Sequence, residues 1–246
     1  MRPFNHRAVV LASGGLDSTV TGAIAKQEGC ELFFLTIAYG QRHAVEVERA
    51  RQVAAALGVA NHLVMSLDLR AIGGSALTGP AAVPKNRPGE EGSQSIPVTY
   101  VPGRNLIFLS IAAAHAEVVG ASLIYFGANV LDYSGYPDCR PEFIRAFEAV
   151  VKEGTKAGME GSPFHIRTPL LMLTKADIIL KGIELHVPFH LTHSCYDPAG
   201  DLACGRCDSC VIRREGFAKA GVVDPIAYAT VPPDSIVGSV SDENDK

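Results

Sequence analysis

Short apolar runs alternate with longer amphipathic segments along the chain. The apolar runs predict β-strands at residues 7–12, 31–39, 62–65 and 122–129. Helical periodicity predicts α-helices at residues 17–29, 43–58, 105–120, 141–157 and 174–185. The 105–120 helix is expected to be buried, and Thr174 and Asp177 have the spacing of a capping box. Because strands alternate with helices, the pattern predicts an α/β fold in which helices cover both faces of a twisted parallel sheet.

Two segments lack any periodicity. Residues 68–103 are rich in Gly, Pro, Ser and Asn and are expected to form a long loop, which in a compact domain is usually a lid or a binding segment. Residues 231–246 are acidic and are expected to form a mobile tail. The predicted organisation is an α/β domain over residues 1–189, a small cysteine-rich C-terminal module over 190–230 packed on it, and the tail.

Composition argues against a nucleic-acid-binding, membrane-spanning or exported protein. The 246 residues are 47% hydrophobic and 20% charged, with a net charge of −4, which argues against binding nucleic acid through bulk charge. No apolar run is long enough to span a bilayer, and the N-terminus lacks the apolar core of a signal peptide. We therefore expect a cytoplasmic protein without a membrane partner, whose six cysteines are thiols or metal ligands rather than disulfides.

A glycine-rich sequence, Ser13-Gly-Gly-Leu-Asp-Ser18, joins the first strand to the first helix. Helix N-termini offer unpaired N–H groups, and glycine lets the backbone approach a phosphate closely, so the segment is a candidate anion site. Asp17 could hold Mg²⁺ on the phosphate oxygens. The simpler interpretation is a tight turn in which Asp17 caps the helix. The segment has neither the Gly-Lys-Ser/Thr ending of a Walker loop nor the Gly-x-Gly-x-x-Gly of a dinucleotide site.

Four cysteines form the pattern Cys-x8-Cys-x2-Cys-x2-Cys, with members Cys195, Cys204, Cys207 and Cys210. Four thiolates at this spacing are typical of a closed structural zinc site. An iron–sulfur run would need another cysteine, followed by proline, with three residues between it and Cys210, but that position is Arg214. The sequence therefore predicts one structural zinc ion per chain. Cys139 has no identifiable base partner and is expected to be packed in the core.

The glycine-rich segment resembles the pyrophosphate loop of the N-type ATP pyrophosphatases. Together with the cysteines, it resembles the 7-cyano-7-deazaguanine synthases, with further likeness in "YGQRHAVEVERA", "VPGRN", "GANVLDYSGYPDCRPEF" and "LTKADI" across residues 7–220. The resemblance implies that the substrates are 7-carboxy-7-deazaguanine, ammonia and ATP with Mg²⁺. ATP would adenylate first the carboxylate and then the amide, which yields the nitrile, in queuosine biosynthesis. It also implies a possible homodimer.

Site residues follow from the resemblance. The predicted catalytic residues are Asp17, Lys175 and Arg104. The predicted ATP-binding residues are Ala12, Ser13, Gly14, Gly15, Leu16, Asp17, Ser18, Thr19, Tyr39, Gln41, Arg42 and His43. The predicted substrate-binding residues are Asn105, Asp132, Tyr133 and Asp138, because a guanine-like edge presents donors to carboxylates and a tyrosine ring can stack on the base. The predicted zinc ligands are Cys195, Cys204, Cys207 and Cys210.

Plainer interpretations stay open for several of these residues. Arg42 and His43 could cap a helix, Lys175 could be a solvated first-turn residue, and residues 132–138 have the composition of a simple turn. Two other functions are also open. A tRNA-modifying enzyme of the lysidine synthase or thiolase type shares the phosphate loop but needs a tRNA-binding surface. A zinc-dependent interaction module could retain the nucleotide fold without catalysis.

Overall fold

The computed structural model describes residues 6–41, 45–86, 96–131 and 136–230. Five strands form one sheet, and every neighbouring pair of strands is parallel. The strands are β1 His6–Leu11, β2 Cys30–Ala38, β3 Asn61–Ser66, β4 Leu123–Tyr125 and β5 His165–Arg167. Their order across the sheet is β3-β2-β1-β4-β5. The predicted parallel α/β architecture is confirmed.

Within the described residues, seven α-helices connect and cover the strands. They are α1 Leu16–Gln27, α2 Val45–Ala56, α3 Arg104–Val119, α4 Pro141–Gly154, α5 Lys156–Met159, α6 Lys175–Glu184 and α7 Asp208–Lys219. Short 3-10 turns occur at Leu69–Ala71, Pro137–Cys139 and Phe189–Leu191. In the described part of the chain, no helix has the length and apolarity needed to cross a membrane.

Alternate residues of β1 face opposite sides of the sheet, and both sides are buried. Val9 and Leu11 belong to one apolar cluster, which includes Leu109 of α3 and Phe147 of α4. Ala8 and Val10 belong to the other, with Val20 of α1, Ile179 of α6 and Phe217 of α7. A parallel strand that is covered on both faces must be apolar throughout, which explains the continuous run at residues 7–12.

Several predicted elements differ from the structure. The strand predicted over 122–129 ends at Tyr125, and the helix predicted over 141–157 breaks at Thr155, whose side chain instead accepts a hydrogen bond from Gly158 N–H. The α3 helix is buried on one side only, since the Val118 side chain is 85% exposed, so the expectation of a buried helix was wrong. Neither β5 nor α7 was predicted. The three residues of β5 are too few to show a periodicity.

The strand order creates a crevice between β1 and β4. From β1 the chain proceeds through β2 and β3 to one edge of the sheet, whereas β4 and β5 extend the sheet in the other direction. The loops that follow β1 and β4 therefore separate at the carboxyl edge. In open α/β sheets this switch point is where ligands bind. Residues 12–15 and 126–129 lie at this position.

Candidate functional site

The glycine-rich segment forms a tight loop that opens α1. Ser13 N–H donates to Ser18 Oγ at 3.1 Å, and Thr19 Oγ donates to the carbonyl oxygen of Gly15 at 2.7 Å. Gly15, which has no side chain, is the N-cap residue of α1, and Asp17 lies inside the first turn. The interpretation of Asp17 as the helix cap was therefore wrong. The first-turn N–H groups lie at the sheet switch point, where their partial positive charge suits an anion.

Gly14 cannot be replaced without moving the backbone around it. Its φ is +78°, and a Cβ atom there would lie 2.6 Å from both Ala50 N and the Glu46 carbonyl oxygen. The second helix therefore packs directly on the loop, against the backbone of Gly14. This contact explains the glycine physically, because only a residue without a side chain fits both the dihedral angle and the space.

Asp17 and Lys175 meet across the site from segments that are distant in sequence. Lys175 Nζ donates to Asp17 Oδ1 at 2.6 Å, and the lysine side chain is only 12% exposed. The interpretation of Lys175 as a solvated surface residue was therefore wrong. Thr174 and Asp177 form the predicted capping box at the start of α6. Asn129 donates to the carbonyl oxygens of Leu170 and Leu173, which fixes the segment leading to Lys175.

Two adjoining cavities open at the switch point. The larger, of about 250 Å³, we call the loop cavity, because the glycine loop forms one wall. Of the predicted residues, those lining it are Ala12, Ser13, Gly15, Leu16, Asp17, Ser18, Tyr39, Gln41, Arg104 and Asn105. Gly14 and Thr19 are not among its lining residues: Gly14 packs against α2, and the Thr19 side chain donates to the Gly15 carbonyl oxygen.

The smaller cavity, of about 170 Å³, we call the acceptor cavity. Of the predicted residues, those lining it are Leu16, Asp17, Arg104, Asn105 and Lys175. Asp17 and Arg104 line both cavities, so a ligand of either cavity reaches the same charged groups. Lys175 lines the acceptor cavity alone and contacts Asp17, so a carboxylate, an ammonium and a guanidinium all line the acceptor cavity.

Arg104 and Asn105 begin α3 at the wall that the two cavities share. Arg104 Nε donates to Asn105 Oδ1 at 3.2 Å, and its guanidinium lies 5.8 Å from the centre of the Tyr39 ring. Asn105 N–H donates to Asp138 Oδ2 at 3.2 Å, so the buried Asp138 carboxylate contacts the start of α3. Asp138 lines neither cavity in the described structure, and its predicted contact with the substrate stays a prediction.

The Cys139 thiol is not a nucleophile in this environment. It lines the acceptor cavity and accepts a hydrogen bond from Asn105 Nδ2 at 3.5 Å. Burial, followed by the charge of Asp138, raises the pKa of Cys139 to about 12. The thiol therefore stays protonated at neutral pH, as a packed core residue does, and the reactive thiolate is absent.

The first turn of α2 contributes a carboxyl group, that of Glu46, which sequence reasoning missed. Gln41 Oε1 accepts from Tyr39 N–H at 2.8 Å, and Gln41 Nε2 donates to Glu46 Oε2 at 3.3 Å. Glu46 lines the loop cavity, and burial raises the pKa of its carboxyl to about 7. Its position in the first turn of a helix after a strand could have drawn attention to it. The predicted residues Arg42, His43, Asp132 and Tyr133 lie outside the described residues.

The four cysteines form a buried cluster with the shape of a metal site. Their sulfur atoms all lie within 4.8 Å of one another, with Cys204–Cys210 at 3.9 Å and Cys195–Cys207 at 4.0 Å. Ligands at about 2.3 Å from a tetrahedral zinc ion are separated by about 3.8 Å, which fits these distances.

Residues beside the four cysteines also line the two cavities. Ser194, Tyr196 and Ser209, which neighbour the cysteines in sequence, line both cavities. Sequence reasoning missed these residues, although their place beside the predicted ligands was a usable signal. The cysteine-bearing segments thus form one wall of both cavities.

Comparisons with known proteins give the family. A family model described as queuosine biosynthesis protein QueC matches residues 7–221. The 7-cyano-7-deazaguanine synthase of Myxococcus xanthus (strain DK1622) is 62% identical over 223 residues, which cover 90% of this chain and 97% of the relative. That of Syntrophus aciditrophicus (strain SB) is 62% identical over 221 residues, which cover 89% and 96%.

A solved structure supports the fold. A 4-thiouridine synthetase, in a complex with RNA and bound ATP, matches with a TM-score of 0.50 and 20% identity. The match covers 91% of this chain and 47% of that one, and at this identity it concerns the fold alone. The sequence relatives carry the assignment: the chain belongs to the queuosine biosynthesis protein QueC family, the 7-cyano-7-deazaguanine synthases.

Proposed function

We propose that this ATP-dependent ligase converts 7-carboxy-7-deazaguanine and ammonia into 7-cyano-7-deazaguanine, with ATP consumed in two successive adenylations. The observation that carries the proposal is the shared wall of the two cavities. Asp17 and Arg104 line both cavities, so they would contact both a nucleotide in the loop cavity and an acceptor in the acceptor cavity, and Lys175 lines the acceptor cavity in contact with Asp17. The glycine loop supports binding of the β- and γ-phosphates, which leaves the α-phosphorus directed towards that shared wall.

The reaction needs an activated oxygen twice. A carboxylate oxygen attacks the α-phosphorus and pyrophosphate leaves, which gives an acyl adenylate. Ammonia then attacks the carbonyl carbon, a proton is lost and AMP departs, leaving the amide. The amide oxygen attacks a second ATP in the same way, and loss of AMP and of the remaining N–H protons forms the nitrile. Because both steps join a substrate oxygen to the same phosphorus, one site can serve both.

The charged residues have distinct roles in this proposal. Lys175 and Arg104 stabilise the negative charge that develops on the α-phosphoryl group, the kind of electrostatic stabilisation that contributes most in enclosed sites. Asp17 would hold Mg²⁺, which when bound neutralises the phosphate oxygens. Lys175 orients the Asp17 carboxylate through their 2.6 Å contact. Tyr39 and Gln41 line the adjacent part of the loop cavity and would contact the nucleoside.

The base of the substrate would bind in the acceptor cavity. Asp132, Tyr133 and Asp138 remain the proposed contacts for its donor edge and its ring. Asn129 and Tyr136, on either side of residues 132–135, line this cavity, which supports the proposal. Arg104 and Asn105 would contact the carboxylate, since a guanidinium matches carboxylate geometry.

We also propose that the four cysteines hold one structural zinc ion. The distances between their sulfur atoms and their complete burial support a closed site without an open coordination position. Metal analysis of the purified protein should give about one zinc per chain, with X-ray absorption showing sulfur ligands at about 2.3 Å. Iron with a visible charge-transfer band would contradict the proposal.

The decisive experiment is a product analysis. The protein is incubated with Mg-ATP, ammonium and 7-carboxy-7-deazaguanine, and AMP, pyrophosphate and the nitrile are measured by mass spectrometry. We expect all three products, and without ammonium we expect exchange of labelled pyrophosphate into ATP. Formation of ADP, or modification of tRNA in a parallel incubation, would contradict the proposal.

The division of the chain and its assembly are proposals as well. We propose an α/β domain over residues 1–189, with residues 190–230 packed on it, in a cytoplasmic homodimer that acts on small molecules without nucleic acid. Light scattering on the purified protein tests the dimer. Limited proteolysis tests whether residues 231–246 are removed before either folded part.

A further inference from the structure

The residues just before Cys195 contact the glycine-rich loop at two points. Leu16 N–H donates to Ser194 Oγ at 3.2 Å, and His193 N–H donates to the Gly14 carbonyl oxygen at 2.9 Å. Leu16 is the first residue of α1, so its N–H is one of the helix amides that have no partner within the helix. The Ser194 oxygen thus lies at the mouth of the predicted anion site.

Ser194 is fixed in this position by the cysteine cluster. It precedes Cys195 in the chain, and its carbonyl oxygen accepts from Ser209 Oγ at 2.6 Å. Ser209 lies between Cys207 and Cys210. Both cysteine-bearing segments therefore hold Ser194 against the loop, and a metal ion that binds these cysteines also fixes the serine.

The Ser194 hydroxyl can donate a hydrogen bond as well as accept one. A serine hydroxyl accepts through its oxygen and donates one hydrogen. Here the oxygen accepts from Leu16, while the half-buried side chain lines both the loop cavity and the acceptor cavity. A phosphate oxygen held by the loop amides would be an acceptor within the same space.

We propose that Ser194 is a further phosphate-binding residue of this enzyme, whose hydroxyl accepts from Leu16 N–H and donates to a phosphate oxygen held by the glycine loop. The inference rests on the proposed function, because it takes the loop as the pyrophosphate site. It gives the metal centre a defined part in substrate binding, namely to hold one phosphate ligand in place. A hydroxyl fixed before the ligand arrives costs little entropy when binding occurs.

The test measures pyrophosphate binding directly. Mg-pyrophosphate is titrated calorimetrically into the metal-loaded full chain and into Ser194→Thr, Ser194→Val and Ser194→Ala variants. Threonine and valine have the same shape and differ only in the hydroxyl. We expect the threonine variant to bind nearly as well as the wild type, and the valine and alanine variants to bind roughly tenfold or more weakly, the loss typical of a hydrogen bond to a charged group.

Controls separate this inference from the proposed function. Zinc content and melting temperature are measured for each variant, and Ser162→Ala, at an exposed serine before β5, should bind like the wild type. Equal affinity of the threonine and valine variants, or tighter binding by the alanine variant, would overturn the inference. Either result would show that the Ser194 oxygen merely occupies the Leu16 N–H in place of a phosphate oxygen. If the wild type itself did not bind Mg-pyrophosphate, both the inference and the proposed nucleotide site would fail.

Discussion

Replacing Asp224 by asparagine should destabilise the protein strongly, because it leaves a buried guanidinium without its counter-charge. Arg213 Nε and Nη2 donate to the two Asp224 carboxylate oxygens at 2.8 and 2.9 Å. The side chains are 3% and 8% exposed. Arg213 Nη1 also donates to Thr192 Oγ at 2.7 Å, just before the segment that contacts the glycine loop.

The magnitude follows from this burial. Removing one partner of a buried, hydrogen-bonded ion pair costs about 3–5 kcal/mol, since arginine cannot lose its charge. A domain of this size loses about 2–4 °C in melting temperature per kcal/mol. The Asp224→Asn variant should therefore melt roughly 6–20 °C below the wild type. The free-energy cost is a large part of the ordinary free energy of unfolding, which is about 5–15 kcal/mol.

Thermal and urea denaturation of the metal-loaded protein measure the effect. The matched control is Glu142→Gln, which breaks an ion pair with Arg145 between two exposed side chains and should leave the melting temperature nearly unchanged. Arg213→Met should cost less in the Asp224→Asn background than in the wild type, because the two side chains share one interaction. A melting temperature for Asp224→Asn no lower than that of the control would refute the reasoning.

Three further predictions concern the site. Lys175→Met should lower the rate constant of AMP formation by roughly 10²–10³ while changing ATP affinity much less; an unchanged rate would remove Lys175 from catalysis. Gly14→Ala should lower the melting temperature more than Gly161→Ala does, because both glycines have positive φ but only Gly14 meets backbone atoms at 2.6 Å; equal shifts would contradict the packing argument. Burial raises the pKa of Glu46 from 4.5 to about 7, so between these pH values the folded state holds a proton that the unfolded chain has released, and stability falls as pH rises. Glu46→Gln should flatten that fall in urea denaturation midpoints, and a pH profile identical to the wild type would show that the carboxyl is not buried in solution.

Local features of the chain were predictable because they depend on neighbours in sequence. The apolar run at residues 7–12 marks a strand covered on both faces, and the capping box at Thr174 marks the start of α6. The glycine-rich segment and the cysteine spacing indicated their chemistry for the same reason: backbone conformation and ligand reach are set within a few residues. The missed strand β5 also has a local cause, since its three residues are too few to show a period.

The assembly of the site was decided by tertiary structure. Asp17 and Lys175 are 158 residues apart, and Leu16 and Ser194 are 178 apart, so no local pattern could pair them. Their meeting depends on the strand order, which places the ends of β1 and β4 at one switch point. It also depends on α6 packing against α1 and on α7 packing against α6. The sequence by itself determined which elements form and which chemical groups they carry, through local propensity. Only the packing of those elements, driven by burial of both sheet faces, determined which groups share a cavity.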